Sequence, residues 1–258
     1  MSDKEIIMTD RTTIRTDVPI SLHPDALSNL TDTLNQQNTP GAQVWAASRE
    51  ALEVCYHGYA LLNDTESALK EANPQTRLVN GRPTIVVENT KEFAAATEAA
   101  WKRIAPVIDG KVKQLRGCMT LLAERVATAL EDPRRKTPEG LSHASEVRAY
   151  VKALPEEKRS AFIMQAINEG DRATVASVLH AQAFLSGLSA EAQSTLRQQA
   201  AAKFAPQDYA QHQAAATALD YVMEAGTKVG IRYGALTRSM HLSPAEKAAE
   251  KLKALAGG

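Results

Sequence analysis

Hydrophobic residues recur every three or four positions along most of this chain, which is the spacing of an amphipathic helix. A leucine stripe at positions 27, 30 and 34 predicts a short helix from Pro24 to about Gln37, which Thr39-Pro40-Gly41 ends. A second helix is predicted from the stripe Trp45, Leu52, Tyr56 and Tyr59. Gly58 is a weak point near its end, and a separate helical piece is predicted over Glu66 to Ala72.

The longest periodic element is predicted from Thr90 to Asp132. Its apolar stripe is Trp101, Ile104, Ile108, Val112, Leu115, Met119, Leu122, Val126 and Leu130. Pro106, with Gly110 and Gly117 behind it, is expected to kink or divide this helix, because proline removes a backbone donor and clashes with the preceding turn.

Short amphipathic helices are predicted in the C-terminal half, each with a start or stop signal. Their predicted spans are Ser145 to Ala153, Pro155 to Asn168 closed by Gly170, Asp171 to about His180, and Ser189 to near Phe204. Pro206 opens another helix, which carries Tyr209, Leu219 and Val222. Ser243-Pro244 starts the last one, whose stripe is Ala245, Ala248, Leu252 and Leu255.

One segment has the pattern of strands rather than of a helix. Leu78-Val79 and Ile85-Val86-Val87 flank Asn80-Gly81, a pair that favours a two-residue hairpin turn, so a hairpin is predicted over about 76–88. Pro83 belongs on a sheet edge, since it has no amide to donate. A two-stranded hairpin is marginal alone, so either the polar N-terminal arm or another subunit is expected to supply a third strand.

These elements together predict a mainly α protein, a multi-helix bundle with a small N-terminal β-hairpin and an extended arm. The predicted organisation is an arm over 1–23, a region of helices, hairpin and long kinked helix over 24–132, and a C-terminal helical domain over 141–258. The charged stretch DPRRKTPEG, residues 132–140, indicates a linker between the two larger parts, which is placed at 133–140.

Charge and composition narrow the classes of partner. The 258 residues hold 30 basic and 30 acidic side chains, so no overall field would draw the chain to nucleic acid or an acidic membrane. The first ten residues, MSDKEIIMTD, have no apolar core of a signal peptide, and no run of about 18 apolar residues occurs. A soluble, intracellular protein is therefore expected. Cys55 and Cys118 read as reduced, buried thiols.

The sequence contains no recognisable catalytic or metal-binding motif. The six histidines lack the i, i+4 pairing of helical zinc sites, and no phosphate-binding loop, dinucleotide turn or nucleophile elbow occurs. Neither Cys55 with His57 nor His143 with Glu146 makes a convincing site. No enzyme, metal or cofactor is predicted, although a triad assembled from distant residues stays open as a third reading.

Two groups of residues suggest contacts instead. Gly226, Gly230 and Gly234 are four residues apart, so in a helix they would line one face. Such a face would allow close packing within the chain or form a subunit interface, and the third alternative is that the segment is a loop. With the apolar residues of the arm and hairpin, these glycines make up the predicted interface of Ile14, Val18, Ile20, Ile85, Val87, Gly226, Gly230 and Gly234. The predicted nucleic-acid contacts are Arg125, Arg134, Arg135 and Lys136, in a basic region that a solvated linker also explains.

The segment LPEEKRSAFIMQAINEGDRATVASVLHAQAFLSGLSAEAQSTLRQQAAAKFAP, residues 154–206, resembles helical proteins of unassigned role among the structural genes of tailed bacteriophages and prophages. The resemblance rests on the Gly170-Asp171 break and on the stretch Phe184 to Ser189. It implies a role in the virion or its assembly, and it brings no functional residue with it.

These observations predict a non-enzymatic structural or assembly component of a bacteriophage particle, of minor capsid, connector or scaffold type. Its expected partners are other copies of itself and other virion proteins, with no membrane and no specific nucleic-acid ligand. Its expected location is the host cytoplasm during assembly and then the virion. The alternative is a cytosolic helical adaptor or regulator that touches nucleic acid weakly through its basic linker.

Overall fold

The computed structural model describes residues 14–72, 75–79, 82–86 and 90–238 and confirms that the chain is mainly helical. Within these ranges the α-helices are α1 Thr31–Leu34, α2 Pro40–Ala72, α3 Thr90–Ala129, α4 Pro138–Ala153, α5 Glu156–Glu169, α6 Arg172–Leu179, α7 Ala190–Phe204 and α8 Pro206–Arg238. Short 3₁₀ helices span Ile20–Leu22, Pro24–Leu30 and Ala183–Leu185. The predicted last helix after Ser243 lies outside the described residues.

The chain divides into two compact units. The first unit contains the described residues of 1–31, 46–115 and 218–258, and the second contains 32–45 and 116–217. This division differs from the predicted boundary at 133–140, since that segment lies wholly within the second unit. Contacts of the segment itself hold it there: the Arg134 amide donates to the carboxylate of the buried Asp132 at 2.9 Å, and Gly140 is buried.

The first leucine stripe is buried as predicted, although the backbone around it is not one α-helix. Leu27, Leu30 and Leu34 are each at most 8% exposed. A 3₁₀ helix carries the first two and α1 the third. The side chain of His23 accepts a hydrogen bond from the amide of Asp25 and so caps the start of the 3₁₀ helix.

Helix α2 runs unbroken through Gly58 and on to Ala72, where two separate helices were predicted. The reason lies in the packing of the first unit. A methyl group at Gly58 would come within 2.9 Å of the Ile104 side chain of α3, so glycine is the residue that permits this close approach. Burial of the α2 face, including Leu52 and Leu62, outweighs the low helix propensity of a single glycine.

Helix α3 likewise continues through Pro106, which was expected to kink or divide it, so the helix is not divided there. Pro106 lies on the exposed side of the helix, while Ile104 and Ile108 on either side of it are buried. One lost backbone hydrogen bond is a local cost, and the apolar stripe that continues past it holds both halves of the helix in place.

Two strands pair antiparallel, β1 Gln75–Val79 and β2 Arg82–Val86, with Gln75 opposite Val86 and Leu78 opposite Pro83. The turn residues Asn80 and Gly81 lie outside the described residues. Within the described part of the chain the sheet has two strands, and the N-terminal segment does not add a third. Residues 14–23 form turns and a 3₁₀ helix instead.

The second unit has its own apolar core. Its buried members come mainly from α4 to α7: Leu130, Val151, Ile163, Ala166, Ile167, Val175, Val178, Leu179, Leu188, Leu196, Ala200 and Ala201. Helix α4 starts earlier than predicted, because the Thr137 hydroxyl caps it by accepting from the amide of Gly140 at 3.1 Å.

Predicted caps of the other short helices are confirmed. Asp171 accepts from the Thr174 amide and Ser189 from the Ala192 amide, each at 3.1 Å, so the starts of α6 and α7 are as predicted. Gly170 ends α5 with a φ of 81°, a left-handed conformation that glycine adopts without strain. Pro206 opens α8.

Side chains from other helices bind the carbonyl groups at the C-terminal end of α6. Arg148 donates to the carbonyl of Ser177 at 3.0 Å, and Arg197 donates to that of Leu179 at 2.9 Å. The buried amide of Gln193 donates to the carbonyl of Val178 at 3.1 Å. Charged and amide donors therefore satisfy a helix end that would otherwise leave buried acceptors unpaired.

Candidate interaction surfaces

The described part of the N-terminal arm packs on the first unit of its own chain. Val18 is 5% exposed, whereas Ile14 and Ile20 are 59% and 61% exposed. The Arg15 amide donates a hydrogen bond to the hydroxyl of Tyr56 on α2 at 2.5 Å. The structure thus places Val18 inside the first unit rather than on a free arm, while Ile14 and Ile20 remain accessible.

Arg15 is the centre of an ionic network at this position. Its guanidinium donates to both carboxylate oxygens of Asp64 on α2, at 2.6 and 2.9 Å. It also donates to both carboxylate oxygens of Asp17, each at 2.9 Å. The bidentate pair with Asp64 joins the segment to α2, whereas the pair with Asp17 lies within the segment and orients the guanidinium.

The pKa values of the acidic groups respond to this arrangement. Hydrogen bonds from Arg15, and then from Asn63, lower the pKa of Asp17 to about 2. The Arg15 guanidinium also holds the pKa of Asp64 below its ordinary value, and the two carboxylates raise the pKa of Arg15. All three groups are exposed to solvent to a substantial degree, so salt in solution can screen these interactions.

The predicted glycine face of α8 is turned toward the helices of the same unit. A methyl group at Gly226 would lie 3.2 Å from the side chain of Ile108, and one at Gly230 would lie 3.6 Å from Trp101. Trp101 stacks on Tyr233, with ring centroids 4.7 Å apart and planes 10° from parallel. Close packing within the chain therefore accounts for Gly226 and Gly230. Gly234 lies further along α8, and its carbonyl accepts from the Thr237 hydroxyl.

The hairpin residues of the predicted interface are placed only in part. Ile85 lies in β2, with its Cα opposite Thr76 of β1. Val87 lies outside the described residues. The use of this hairpin as a docking edge stays a prediction.

The predicted basic surface is largely neutralised by acidic partners within the second unit. Arg125 pairs with Asp208 at 2.9 Å, on α8. Arg134 pairs with Asp132 at 3.4 Å, and Arg135 pairs with Glu131 at 3.0 Å, while Lys136 is exposed. Three of the four cations predicted to contact phosphate thus already face a carboxylate, which weakens a local positive field.

An exposed aromatic patch, which the sequence patterns did not single out as an interface, lies on the second unit. It consists of Tyr150 on α4, Phe162 on α5, and Phe184 with Leu185 on the 3₁₀ helix Ala183–Leu185, which contacts α4. The rings of Tyr150 and Phe162 are 5.2 Å apart. Tyr150 is 55% and Phe184 62% exposed, so these two large side chains face solvent, whereas Phe162 is half-buried against the core of the second unit.

The side chain of Arg159 joins the two backbone segments that carry the exposed residues of this patch, and so acts as a brace between them. Its guanidinium donates to the carbonyls of Lys152 at 3.1 Å and Leu154 at 3.0 Å, at the end of α4. It also donates to the carbonyl of Gly187 at 2.7 Å, just after the 3₁₀ helix. Gly187 has a φ of 67°, and a methyl group there would lie 2.8 Å from the guanidinium. One side chain therefore holds the end of α4 beside the turn that carries Phe184.

No sequence signal marks the aromatic patch. Tyr150, Phe162 and Phe184 are spread over residues 150–184, so neither spacing nor composition groups them. The exposure of Tyr150 could not be read from the sequence either, because the next residue, Val151, is buried.

A shallow groove lies between α5 and α7, with a volume of about 380 Å³. Its lining is mostly small or apolar: Ser160, Ala161, Met164, Ala192, Thr195, Leu196 and Gln199. The lining contains no titratable side chain, so the groove offers no acid, base or nucleophilic thiol for catalysis.

The remaining candidate chemistry is dispersed. Cys55 and Cys118 are free and buried, and burial raises the pKa of the Cys55 thiol to about 12. His57 is exposed on α2, so it does not share a site with Cys55. In the described part of the chain, no three His, Cys, Asp or Glu side chains gather as metal ligands would. No helix among the described residues combines the length and apolar character needed to span a membrane.

Comparison of the chain with protein-family models, with curated proteins and with solved structures gives no match.

Proposed function

We propose that this chain is a non-enzymatic structural or assembly protein that acts through contacts with other proteins, including copies of itself. The observation that carries this proposal is the aromatic patch on the second unit. Large apolar side chains are exposed there on a backbone that Arg159 braces through three hydrogen bonds. Exposed aromatic side chains on a fixed backbone are typical of residues that dominate protein–protein binding.

The chemistry of the described side chains supports a binding role more than catalysis. The groove between α5 and α7 holds no titratable group, and both thiols are buried. Arginine side chains that are catalytic or ligand-binding in many proteins serve here to bind main-chain carbonyls or carboxylates. The polar groups are thus used to organise the fold.

The finer proposal is that the chain belongs to a bacteriophage particle, as a minor capsid, connector or scaffold-like component. The resemblance of residues 154–206 to helical proteins of phage structural gene clusters supports it. The same segment contributes Phe162, Phe184 and Leu185 to the aromatic patch. Mass spectrometry of purified particles from a producing host tests this proposal, and absence of the chain from both particles and assembly intermediates would contradict it.

Self-association through the aromatic patch is tested with the double variant Tyr150→Ser, Phe184→Ser. We expect the native chain to increase in mass with concentration in sedimentation equilibrium, and the variant to associate about tenfold more weakly. Leu141→Ser is the matched control, because Leu141 is 60% exposed on the same helix but lies about 13 Å along its axis from Tyr150. Self-association through this patch would be overturned if the native chain stays monomeric. It would also be overturned if Leu141→Ser weakens association as much as the double variant does.

The second candidate, an adaptor that contacts nucleic acid, depends on Arg125, Arg134, Arg135 and Lys136. Three of them, Arg125, Arg134 and Arg135, already pair with carboxylates, which counts against it. Binding that falls steeply with salt and is lost when Arg134, Arg135 and Lys136 become alanine would favour the adaptor instead.

A further inference from the structure

Residues 14–19, the strap, are joined to the body of the first unit mostly through side chains. The strap belongs to no α-helix or strand. The Arg15 amide donates to Tyr56, and the side chain of Asn63 donates to the carbonyl of Asp17 at 2.8 Å. Segments held without a backbone hydrogen-bond ladder open at a lower free energy than the helices they lie on.

Apolar burial in the strap comes chiefly from Val18. Ile14, at 59% exposure, contributes little. Leu22, which is completely buried, lies beyond the strap on the following 3₁₀ helix and anchors the chain where the strap ends. The strap can therefore open without removing Leu22 from the core.

The other contacts that keep the strap on the first unit are ionic and polar. They involve side chains of α2 and α8. Asn63 is bound at both ends of its amide: its Nδ2 donates to Asp17, and its Oδ1 accepts from Arg232 of α8 at 2.7 Å. Arg232 also pairs with Glu66 of α2. This arrangement sets the orientation of the Asn63 amide, so its donor group faces the strap.

The network lies at the surface. The side chains of Arg15, Asp17 and Asp64 are 35%, 46% and 57% exposed. Single surface ion pairs contribute little, but bidentate pairs in a network are the exception, and dissolved salt weakens them.

We propose that the strap is a salt-sensitive latch, which the pairing of Arg15 with Asp64 keeps closed over Tyr56 and which opens while the helical body of the first unit stays folded. Opening frees residues 14–19 and exposes the surface around the Tyr56 hydroxyl. This inference is independent of the proposed function.

The test uses limited trypsin digestion of the full chain, because trypsin must bind the Arg15 guanidinium, which is paired with Asp64 in the closed strap. Cleavage measures the open population when opening and closing are faster than cutting. Asp64→Asn keeps the cleaved sequence unchanged and removes one bidentate partner. We expect cleavage after Arg15 to become about fivefold faster in this variant.

Salt should have the same effect on the native chain. Raising NaCl from about 0.05 M to about 0.5 M is expected to speed cleavage after Arg15, and the salt effect should shrink in Asp64→Asn. Asp109→Asn, an exposed carboxylate of α3 in the same unit, is the control and should behave like the native chain.

Either of two results would overturn the latch. One is cleavage after Arg15 that is equally slow in Asp64→Asn and in the native chain at both salt concentrations. The other is faster cleavage accompanied by a change in Trp101 emission, which would show that the body of the first unit opens together with the strap.

Discussion

The second unit contains helices of 8 to 16 residues between α4 and α7, whereas α2, α3 and α8, which contribute to the first unit, have 33, 40 and 33 residues. Short helices are marginal in isolation, and here side chains satisfy their ends at Thr137, Asp171 and Ser189. Long helices depend less on their ends. In the first unit the close approach at Gly58 and Gly226 and an ionic surface network organise the packing instead.

This contrast separates two ways in which polar residues stabilise the chain. In the second unit, guanidinium groups such as those of Arg159 and Arg197 bind main-chain carbonyls at the ends of helices and in the turn at Gly187. In the first unit, the guanidinium of Arg15 binds exposed carboxylates that salt and acid can weaken. We therefore expect mutations of buried contacts to have the largest effects on stability in both units. Ionic contacts should respond to salt and acid mainly in the first unit.

The largest effect is expected for Leu22→Ala, which should lower the free energy of unfolding of the first unit by about 3 kcal/mol, because Leu22 is fully buried. Ile20→Ala, two residues away and 61% exposed, should change it by less than about 0.5 kcal/mol. Urea unfolding followed by Trp101 emission in a Trp45→Phe background reports on this unit. Equal effects would show that the segment does not pack on the first unit.

Arg159→Ala should destabilise the second unit by about 2 kcal/mol, since three carbonyls lose a charged donor. Lys158→Ala removes an exposed neighbouring cation and serves as the control. Trp45 belongs to the second unit, so its emission in a Trp101→Phe background follows the unfolding. If both variants unfold at the same urea concentration, Arg159 is not a brace.

Glycine substitutions should act in opposite directions within the first unit. Gly58→Ala should destabilise it by about 1 kcal/mol or more, because the new methyl group would overlap Ile104 and overpacking outweighs the gain in helix propensity. At Gly110 a methyl group meets nothing, so Gly110→Ala should stabilise α3 by up to about 1 kcal/mol. Thermal unfolding followed by circular dichroism compares the two variants. If both substitutions raise, or both lower, the unfolding temperature, the close approach of Gly58 to Ile104 is contradicted.

Acid and salt should distinguish the carboxylates of the two units. Hydrogen bonds from Arg15 lower the pKa of Asp17 and Asp64, whereas the backbone amide of Arg134 is the main cause of the lowered pKa of Asp132. Because these pKa values are lowered, the stabilisation is present above the ordinary pKa near 3.8 and is lost as the pH falls through the lowered value.

Carboxyl carbon NMR titrations at low and high salt measure this difference. High salt should raise the pKa of Asp17 and Asp64 toward the ordinary value, while that of Asp132 should move less, since its main donor carries no net charge. An equal response of all three would remove this difference between the units.

Several local features of this chain could be read directly from the sequence. The starts of α6, α7 and α8 and the end of α5 depend on Asp171, Ser189, Pro206 and Gly170, residues whose own side chain or backbone freedom decides the local conformation. The leucines at 27, 30 and 34 are buried as their spacing predicted. These features need only neighbours within a few residues, so the sequence sufficed.

Other features were decided by tertiary structure. Whether Gly58 and Pro106 interrupt a helix depends on the opposing surface, and whether Val18 belongs to an arm or to a core depends on α2 many residues later. The brace of Arg159 and the pairing of Arg15 with Asp64 join groups that local patterns cannot connect. The physical reason is that capping and periodicity act along the chain, whereas burial, close approach and charge pairing act between segments brought together only by folding.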